Sequence, residues 1–259
     1  MVNGFFGAQQ RAAPSRGGHH VIDEQPDIQR VVVVVPAHNE ESVLDLCLAS
    51  VAEAGERVSI DTVLVVVLDA CSDSSASIAE KWAKRTEGHV VAIDRRNVGA
   101  ARAAGFFAAS HSAAGSDTWF ATTDADSVVR PDWIATQIAH ARRGASVVAG
   151  TVLPDSVGFD ARVATNYFAG YRFEPGHRHI HGANLGMRAD VYWNVGGFAG
   201  LRTGEDVDLV RRFEHAAHSV LYACDSPVTT STRRVGRAPD GFAAHLRSIE
   251  TDHDMAVAQ

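Results

Sequence analysis

The sequence predicts an α/β fold with a mainly parallel central sheet and helices on both faces. Three observations carry this. Short β-branched runs alternate with amphipathic segments along the first 150 residues, and that order is the signature of parallel strands joined by helical crossovers. The first runs are apolar at every position, as strands covered on both faces are. Finally, one strand after another ends in acidic or amide residues, the end at which open parallel sheets gather ligands.

The elements follow in order. Arg30-Val-Val-Val-Val-Val35 is a buried strand. Ser42 to Ala54 is a helix, with Val43, Leu44, Cys47, Leu48 and Val51 at helical spacing. Asp61 to Leu68 is a second buried strand. Ser74 to Lys84 is a helix with Ile78 and Trp82 on one side, and Val90 to Ile93 is a short third strand. Gly99 to Ser112 is rich in alanine, the best helix former. Trp119 to Thr122 is the fourth strand, Pro131 to Arg143 a helix entered by proline, and Ser146 to Val152 a fifth strand. Beyond it the pattern loosens. Phe159 to Phe173 reads as an aromatic-rich helix, Gly176 to Gly186 as a connection rich in histidine and glycine, and Glu205 to Ala217 as a helix. After Ser226 the chain is polar and rich in arginine.

The 259 residues suit one large domain with appendages. We expect a mobile tail over 1–29, which is as consistent with a tag or adaptor as with a functional arm, a domain over 30–235, and a tail or helix over 236–259. A soft division near 150 separates a ligand-binding half (30–150) from a second half (151–235). Hydrophobic residues make up 46%, ample for a core. The net charge of −7 and the lack of a long basic run argue against nucleic acid as the main partner. Three scattered cysteines, none in a C-x-x-C pair, argue against a disulfide framework or thiolate zinc site and fit a reducing cytoplasm. No apolar run is long enough to span a bilayer, and the N-terminus lacks the apolar stretch of a secretory signal.

The chemistry concentrates in Trp119-Phe-Ala-Thr-Thr-Asp-Ala-Asp-Ser127. In extended backbone, residues two apart point the same way, so Asp124 and Asp126 converge. Two crowded carboxylates repel unless a cation sits between them. Oxygen ligands suit Mg²⁺ or Mn²⁺, which bind phosphates alongside one or two carboxylates. An acidic turn after a strand is the bland reading of the same residues. The other strand ends carry Pro36-Ala-His-Asn-Glu-Glu41, Asp69-Ala-Cys-Ser-Asp73 and Asp94-Arg-Arg-Asn-Val-Gly99. No G-x-G-x-x-G follows the first strand and no P-loop is present. Asp69 and Asp73 suit the N–H and hydroxyl edges of a base and ribose. Asp73 is equally suited to capping the helix that starts near Ser74.

Taken in order, Pro36-Ala-His-Asn-Glu-Glu, Asp69-Ala-Cys-Ser-Asp, Arg96-Asn-Val-Gly-Ala-Ala-Arg102, Asp124-Ala-Asp, Gly182-Ala-Asn-Leu-Gly and Gly204-Glu-Asp resemble the family 2 glycosyltransferases of the GT-A fold. The resemblance covers roughly residues 30–235. It implies a nucleotide-diphosphate sugar donor, a divalent cofactor (Mn²⁺ or Mg²⁺), inversion at the anomeric carbon, and a small-molecule, glycan or lipid-linked acceptor. UDP is the donor nucleotide that the resemblance suggests. By position, Pro36, Ala37, Asn39 and Glu40 would line the nucleotide pocket, and Asp69, with Asp73, would meet base or ribose. Asn97, Gly99 and Arg102 would close against the nucleotide. Asp124 would touch ribose or metal-bound water, and Asp126 would ligate the metal. His38 stands where an aromatic residue is frequent, and Asp-Ala-Cys-Ser-Asp replaces the usual Asp-Gly-Ser run.

Asp206 of Gly204-Glu-Asp would be the general base. Periodicity supports this separately: Asp206 shares a helical face with Leu209, Val210 and Phe213. Glu205 and Asp208 lie on another face, where acids near a helix N-terminus need no further reason. His177, His179 and His181 alternate, so they read as an acceptor wall, a solvated loop or, least well, a zinc site. His181 and Asn184 lie nearest the family motif on the acceptor side, with Glu205. Arg233, Arg234 and Arg237 fit either a clamp on the diphosphate or a basic tail. Two other readings are a sugar-nucleotide nucleotidyltransferase, which lacks its basic glycine-rich loop here, and an inactive nucleotide-sugar-binding protein. A homodimer is compatible with the sequence, as is peripheral contact with the inner membrane face.

Overall fold

Five consecutive valines build the centre of the protein, a computed structural model of which describes residues 27–109, 115–155, 170–201 and 203–232. Strand β1 (Arg30–Ala37) pairs in parallel with β2 (Asp61–Asp69) on one side and β4 (Thr118–Thr122) on the other, Val33 facing Leu64 and Ala121. Its side chains alternate between two cores. Val31, Val33 and Val35 pack under helices α1 (Leu44–Glu56), α2 (Ser75–Thr86) and α4 (Trp133–Arg142). Val32 and Val34 pack under α3 (Val98–Ala109), α5 (Ala189–Asn194) and α6 (Glu205–His215). A strand covered on both faces must be apolar throughout, which is why the valine run is unbroken. Burying each such side chain stabilises by about 1.5–3 kcal/mol.

The eight-stranded sheet runs β3-β2-β1-β4-β7-β6-β8-β5. β3 (His89–Ile93) is the parallel edge. The second half adds β6 (Val147–Pro154), β7 (Leu185–Arg188) and β8 (Val220–Thr230). β6 and β8 are parallel, while β7 runs antiparallel between β4 and β6. The two-residue β5 (Ser127–Val128) pairs antiparallel with the end of β8. The sheet is thus continuous across residue 150.

The sequence reading missed β5, β7, α5 and β8. β7 is four residues long with Gly186 inside it. That glycine is required, because a Cβ there would lie 2.1 Å from Oε1 of Gln137. β8 contains Asp225, Ser226 and Pro227, which sit at a register shift opposite the Gly150–Val152 step, where an irregular strand tolerates proline. Ile28 is 1% exposed and Asp27 pairs with Arg142 at 2.9 Å, so the packed body already includes 27–29, which the sequence reading assigned to the tail. The expected helix over 159–173 falls outside the described residues except for its last four, as do the tails over 1–26 and 233–259.

Candidate active site

The chain leaves β1 for β2 and β3 on one side and returns to β4 on the other. This reversal makes a crevice beyond the carboxyl ends of β1 and β4, where open α/β sheets bind ligands. Pro36 and Ala37 close β1 at that edge, and Asp124 and Asp126 follow β4.

The loops after β1 and β2 are stitched together. Oδ1 of Asn39 accepts the Ser72 N–H at 2.7 Å, the Glu40 N–H donates to Oγ of Ser75 at 2.8 Å, and Oε2 of Glu41 accepts the Ser74 N–H. Asp73 accepts the N–H groups of Ser75 and Glu41, so both of its oxygens are occupied. Burial raises its pKa, but these hydrogen bonds outweigh burial and hold it below the ordinary value. Asp73, which precedes the N-cap residue Ser74, therefore steadies the start of α2 by accepting the N–H of its first residue, Ser75. The Nδ1 of His38 lies 2.5 Å from the Asp69 carbonyl. Asn39 and Ala70 hold positive φ (54° and 53°), a conformation non-glycine residues adopt only when their surroundings fix it.

Asp69, 3% exposed, accepts three consecutive backbone N–H groups, from Arg95, Arg96 and Asn97, at 2.7–2.8 Å. With Arg96 at φ 48°, this is an anion nest filled by the protein's own carboxylate. Asp69 thus shapes the β3–α3 loop. Asn97 then caps α3, its Oδ1 accepting the Ala100 N–H. Its Nδ2 donates to the carbonyls of Gly200 and Leu201, just before α6. Gly99 permits the same approach: a Cβ there would be 2.3 Å from the Ala199 carbonyl.

Arg102 joins the halves. It is 2% exposed; its Nη2 donates to Oδ1 of Asp124 at 2.6 Å and its Nη1 to Oε1 of Glu205. Its guanidinium carbon sits 5.5 Å from the centroid of the Phe198 ring. Burial disfavours its charge, but Asp124, Glu205 and Asp206 more than restore it and raise its pKa. Burial, with Asp206 and Asp124 nearby, also raises the Glu205 pKa against the pull of Arg102. Glu205 is thus the more deeply buried acid of the pair, although the helical pattern pointed inward through Asp206. It is the first residue of α6, one turn before the buried Leu209, and reaches back to Arg102. Asp206 is half-buried. Its Oδ2 accepts the Gly182 N–H at 2.7 Å and its Oδ1 the Val207 N–H at 2.8 Å. Asp208 pairs with Arg212 one turn on. Beneath Asp124, the Cys47 thiol donates to its carbonyl, and burial pushes that thiol far up in pKa.

The histidine segment forms a ladder. His177 is 1% exposed, with Nε2 on the Ala223 carbonyl and Nδ1 accepting the His179 N–H. Both nitrogens are engaged, so it is not poised to ligate zinc. His179 stacks on Tyr171 at 3.9 Å, and the Tyr171 hydroxyl meets Nε2 of His181 at 2.8 Å. Asn184, expected on the acceptor side, is enclosed by its neighbours. It is 2% exposed; its Oδ1 accepts from Trp133 Nε1 and its Nδ2 donates to the carbonyls of Thr151 and Ser226. Enclosed in this way, the side chain staples β6, β8 and α4.

Phe198 and Tyr171 were missed by the sequence reading. The Gly196-Gly197-Phe198 run after a short helix was the available signal for Phe198, since a glycine stop is often followed by an apolar contact. Arg233, Arg234 and Arg237 lie outside the described residues. The strand leading to them ends with the Ser231 N–H on the Asp126 carbonyl at 3.2 Å.

Among the described residues no group of three histidines, cysteines or acids is placed to hold a metal. The donors at the crevice are the carboxylates of Asp124 and Asp126. This set fits a hard cation that completes its shell with phosphate oxygens and water, and does not fit an all-protein cage.

Known proteins resemble this chain in sequence and in fold. An undecaprenyl-phosphate 4-deoxy-4-formamido-L-arabinose transferase of Salmonella choleraesuis is 35% identical over 128 residues, 48% of this chain and 37% of that protein. The Photorhabdus laumondii protein of the same name is 38% identical over 66 residues, 26% of this chain and 20% of that one. The chain therefore spans well under half the length of these relatives. A mannosyltransferase from Pyrobaculum calidifontis, solved with GDP-Man and Mn²⁺, superposes with a TM-score of 0.60 at 19% identity, covering 83% of this chain and 61% of that one. S. aureus TarS 1–349 with UDP gives 0.61 at 16% identity, covering 85% and 69%. These likenesses establish the GT-A fold. The profile of glycosyl transferase family 2 matches residues 32–196, and the chain belongs to that family.

Proposed function

We propose that the protein is a metal-dependent, inverting glycosyltransferase that moves a sugar from a nucleotide-diphosphate donor to an acceptor hydroxyl. The observation that carries this is the guanidinium of Arg102. It is shared between Asp124, at the donor edge, and Glu205, the neighbour of Asp206. One buried cation thereby fixes the separation of the two acidic groups that the reaction requires.

Pro36, Ala37, Asn39 and Glu40 form the rim on which the nucleotide rests, with Asp69 and Asn97 holding the facing loop. Asp126, aided by Asp124, would hold Mn²⁺ or Mg²⁺; the mannosyltransferase that shares this fold was solved with GDP-Man and Mn²⁺. When bound, such an ion supplies charge neutralisation at the diphosphate. Asp206 takes the acceptor proton as the acceptor oxygen attacks the anomeric carbon opposite the leaving group, which inverts it. The Gly182 N–H orients that carboxylate and leaves it lone pairs for the proton. His181 and the Tyr171–His179 stack form the nearby acceptor wall.

The likeness to undecaprenyl-phosphate transferases favours a lipid-phosphate acceptor as a second reading. It would bring the protein to a membrane face; among the described residues no helix is long and apolar enough to cross one. A thermal-shift screen of nucleotide sugars with and without Mn²⁺, followed by donor hydrolysis, tests the proposal. A metal-dependent rise in melting temperature for one donor is expected. No rise for any donor would refute it.

A further inference from the structure

We propose that two copies of this chain pair edge to edge through β3, as antiparallel strands that cross a two-fold axis at Val91. β3 closes one side of the sheet, and among the described residues only β2 pairs with it. The Ala70 N–H donates to the Ile93 carbonyl at 2.8 Å, so Ile93, and with it Val91 and His89, bond toward β2. Alternate residues of a strand turn their N–H and C=O groups the other way, so those of Val90 and Ala92 face outward. An unpaired edge is a template for another strand, and proteins that avoid pairing place charge, proline or a bulge on it. His89-Val-Val-Ala-Ile93 has no lysine, arginine, acid or proline, and it follows β2 without a register shift. Charges flank it instead. Glu87 precedes it and Arg95 follows it, both exposed and neither ion-paired among the described residues.

An antiparallel pair exchanges hydrogen bonds only where outward-facing residues stand opposite each other. A junction centred on Val91 meets this condition: Val90 faces Ala92 of the second copy, and Ala92 faces its Val90. Val91, which packs on the α3 side, meets its own counterpart at the axis, in the kind of pair whose side chains come closest. The same register sets Glu87 opposite Arg95 of the second copy, and symmetry repeats that pair at the other end. Asp94 and Arg96 face Gly88 and Thr86, so no like charges meet. A slip of two residues either way sets Glu87 against Ile93 or Asn97 and loses both ion pairs. The contact uses the same patch on each copy and therefore closes as a dimer. It abuts the turn from Arg95 to Asn97 that holds the Asp69 carboxylate, so each copy braces the other's β3–α3 loop.

Analytical ultracentrifugation of the full chain over a dilution series tests this. The unaltered protein should sediment as a dimer that dissociates on dilution. Ala92→Pro removes an outward N–H and leaves the ladder to β2 intact, since an edge strand tolerates proline on its open side. It should raise the dimer dissociation constant about tenfold or more, as the loss of a hydrogen bond from each copy predicts. Arg95→Glu sets like charges opposite each other at both ends and should weaken the dimer by about tenfold. Adding Glu87→Arg restores opposite charges with reversed sense, and should return the constant to within about threefold of the parent's. Should Ala92→Pro fail to fold, the charge reversal decides alone. A monomer at every concentration, a dimer that folded Ala92→Pro or Arg95→Glu leaves equally tight, or one that the reversal fails to restore, overturns the pairing.

Discussion

Nη2 of Arg102 donates to Oδ1 of Asp124 across 2.6 Å, while the other arm of the same guanidinium holds Glu205. Removing one member of a buried ion pair costs about 3–5 kcal/mol, because the remaining charge is stranded. Arg102→Met should therefore lower stability by that order and abolish transfer. Adding Glu205→Gln should recover part of the stability, since the stranded carboxylate is gone, without recovering transfer. A double-mutant cycle by urea denaturation measures the coupling. Strict additivity would show that the pair is not coupled.

Asp206→Asn should bind donor with nearly unchanged affinity and transfer sugar at least a hundredfold more slowly, the usual scale of general-base loss. The amide oxygen can still accept from Gly182, so the melting temperature should stay within a few degrees. Turnover within tenfold of the unaltered enzyme would remove Asp206 from the role of base.

Asn184 separates structure from catalysis. Asn184→Ala leaves the Trp133 N–H and two strand carbonyls without their partner, and stranded buried polar groups cost about 1–3 kcal/mol each. We expect a clear fall in melting temperature with an unchanged acceptor KM in the folded fraction. A raised KM at unchanged stability would put Asn184 in the acceptor site.

Asp73 gives a pH signature. Its folded pKa lies below the ordinary 3.8, so its contribution is complete above that value and is lost as pH falls through the lower, folded value. Asp73→Ala should cost about 1 kcal/mol at neutral pH, the scale of a lost hydrogen bond. The gap between variant and parent should close below pH 3.8. Chemical denaturation at pH 7 and pH 3 reads this directly.

The first half of the fold was legible because its signals are local. Val31 to Val35 must be a two-faced strand, and Leu44, Cys47, Leu48 and Val51 can share a face only in a helix. The second half depends on distant partners. Leu185–Arg188 is a strand only because β4 and β6 flank it, and nothing in Leu-Gly-Met-Arg says so. At the site, residue types and order gave the candidate residues, but not which of their polar groups already hold partners within the protein. Asp69, Asp73 and Asn184 read as ligand contacts in the sequence, and the structure adds the hydrogen-bond partners they already hold. Those partners are mostly backbone groups, which carry no sequence signal. Glu205 is the opposite case: a helix-terminal acid that looked explained by its position turns out to be the buried partner of Arg102.

Asn97 ties Asp69 to the loop ahead of α6: its N–H holds one end and its side-chain amide the other. Anyone wishing to retune this protein by transplanting a foreign crossover between β3 and α3 would detach the tether that steadies the acids at the start of α6. On the proposed roles, donor preference and chemical competence are mechanically linked, and grafts ought to exchange the two segments together.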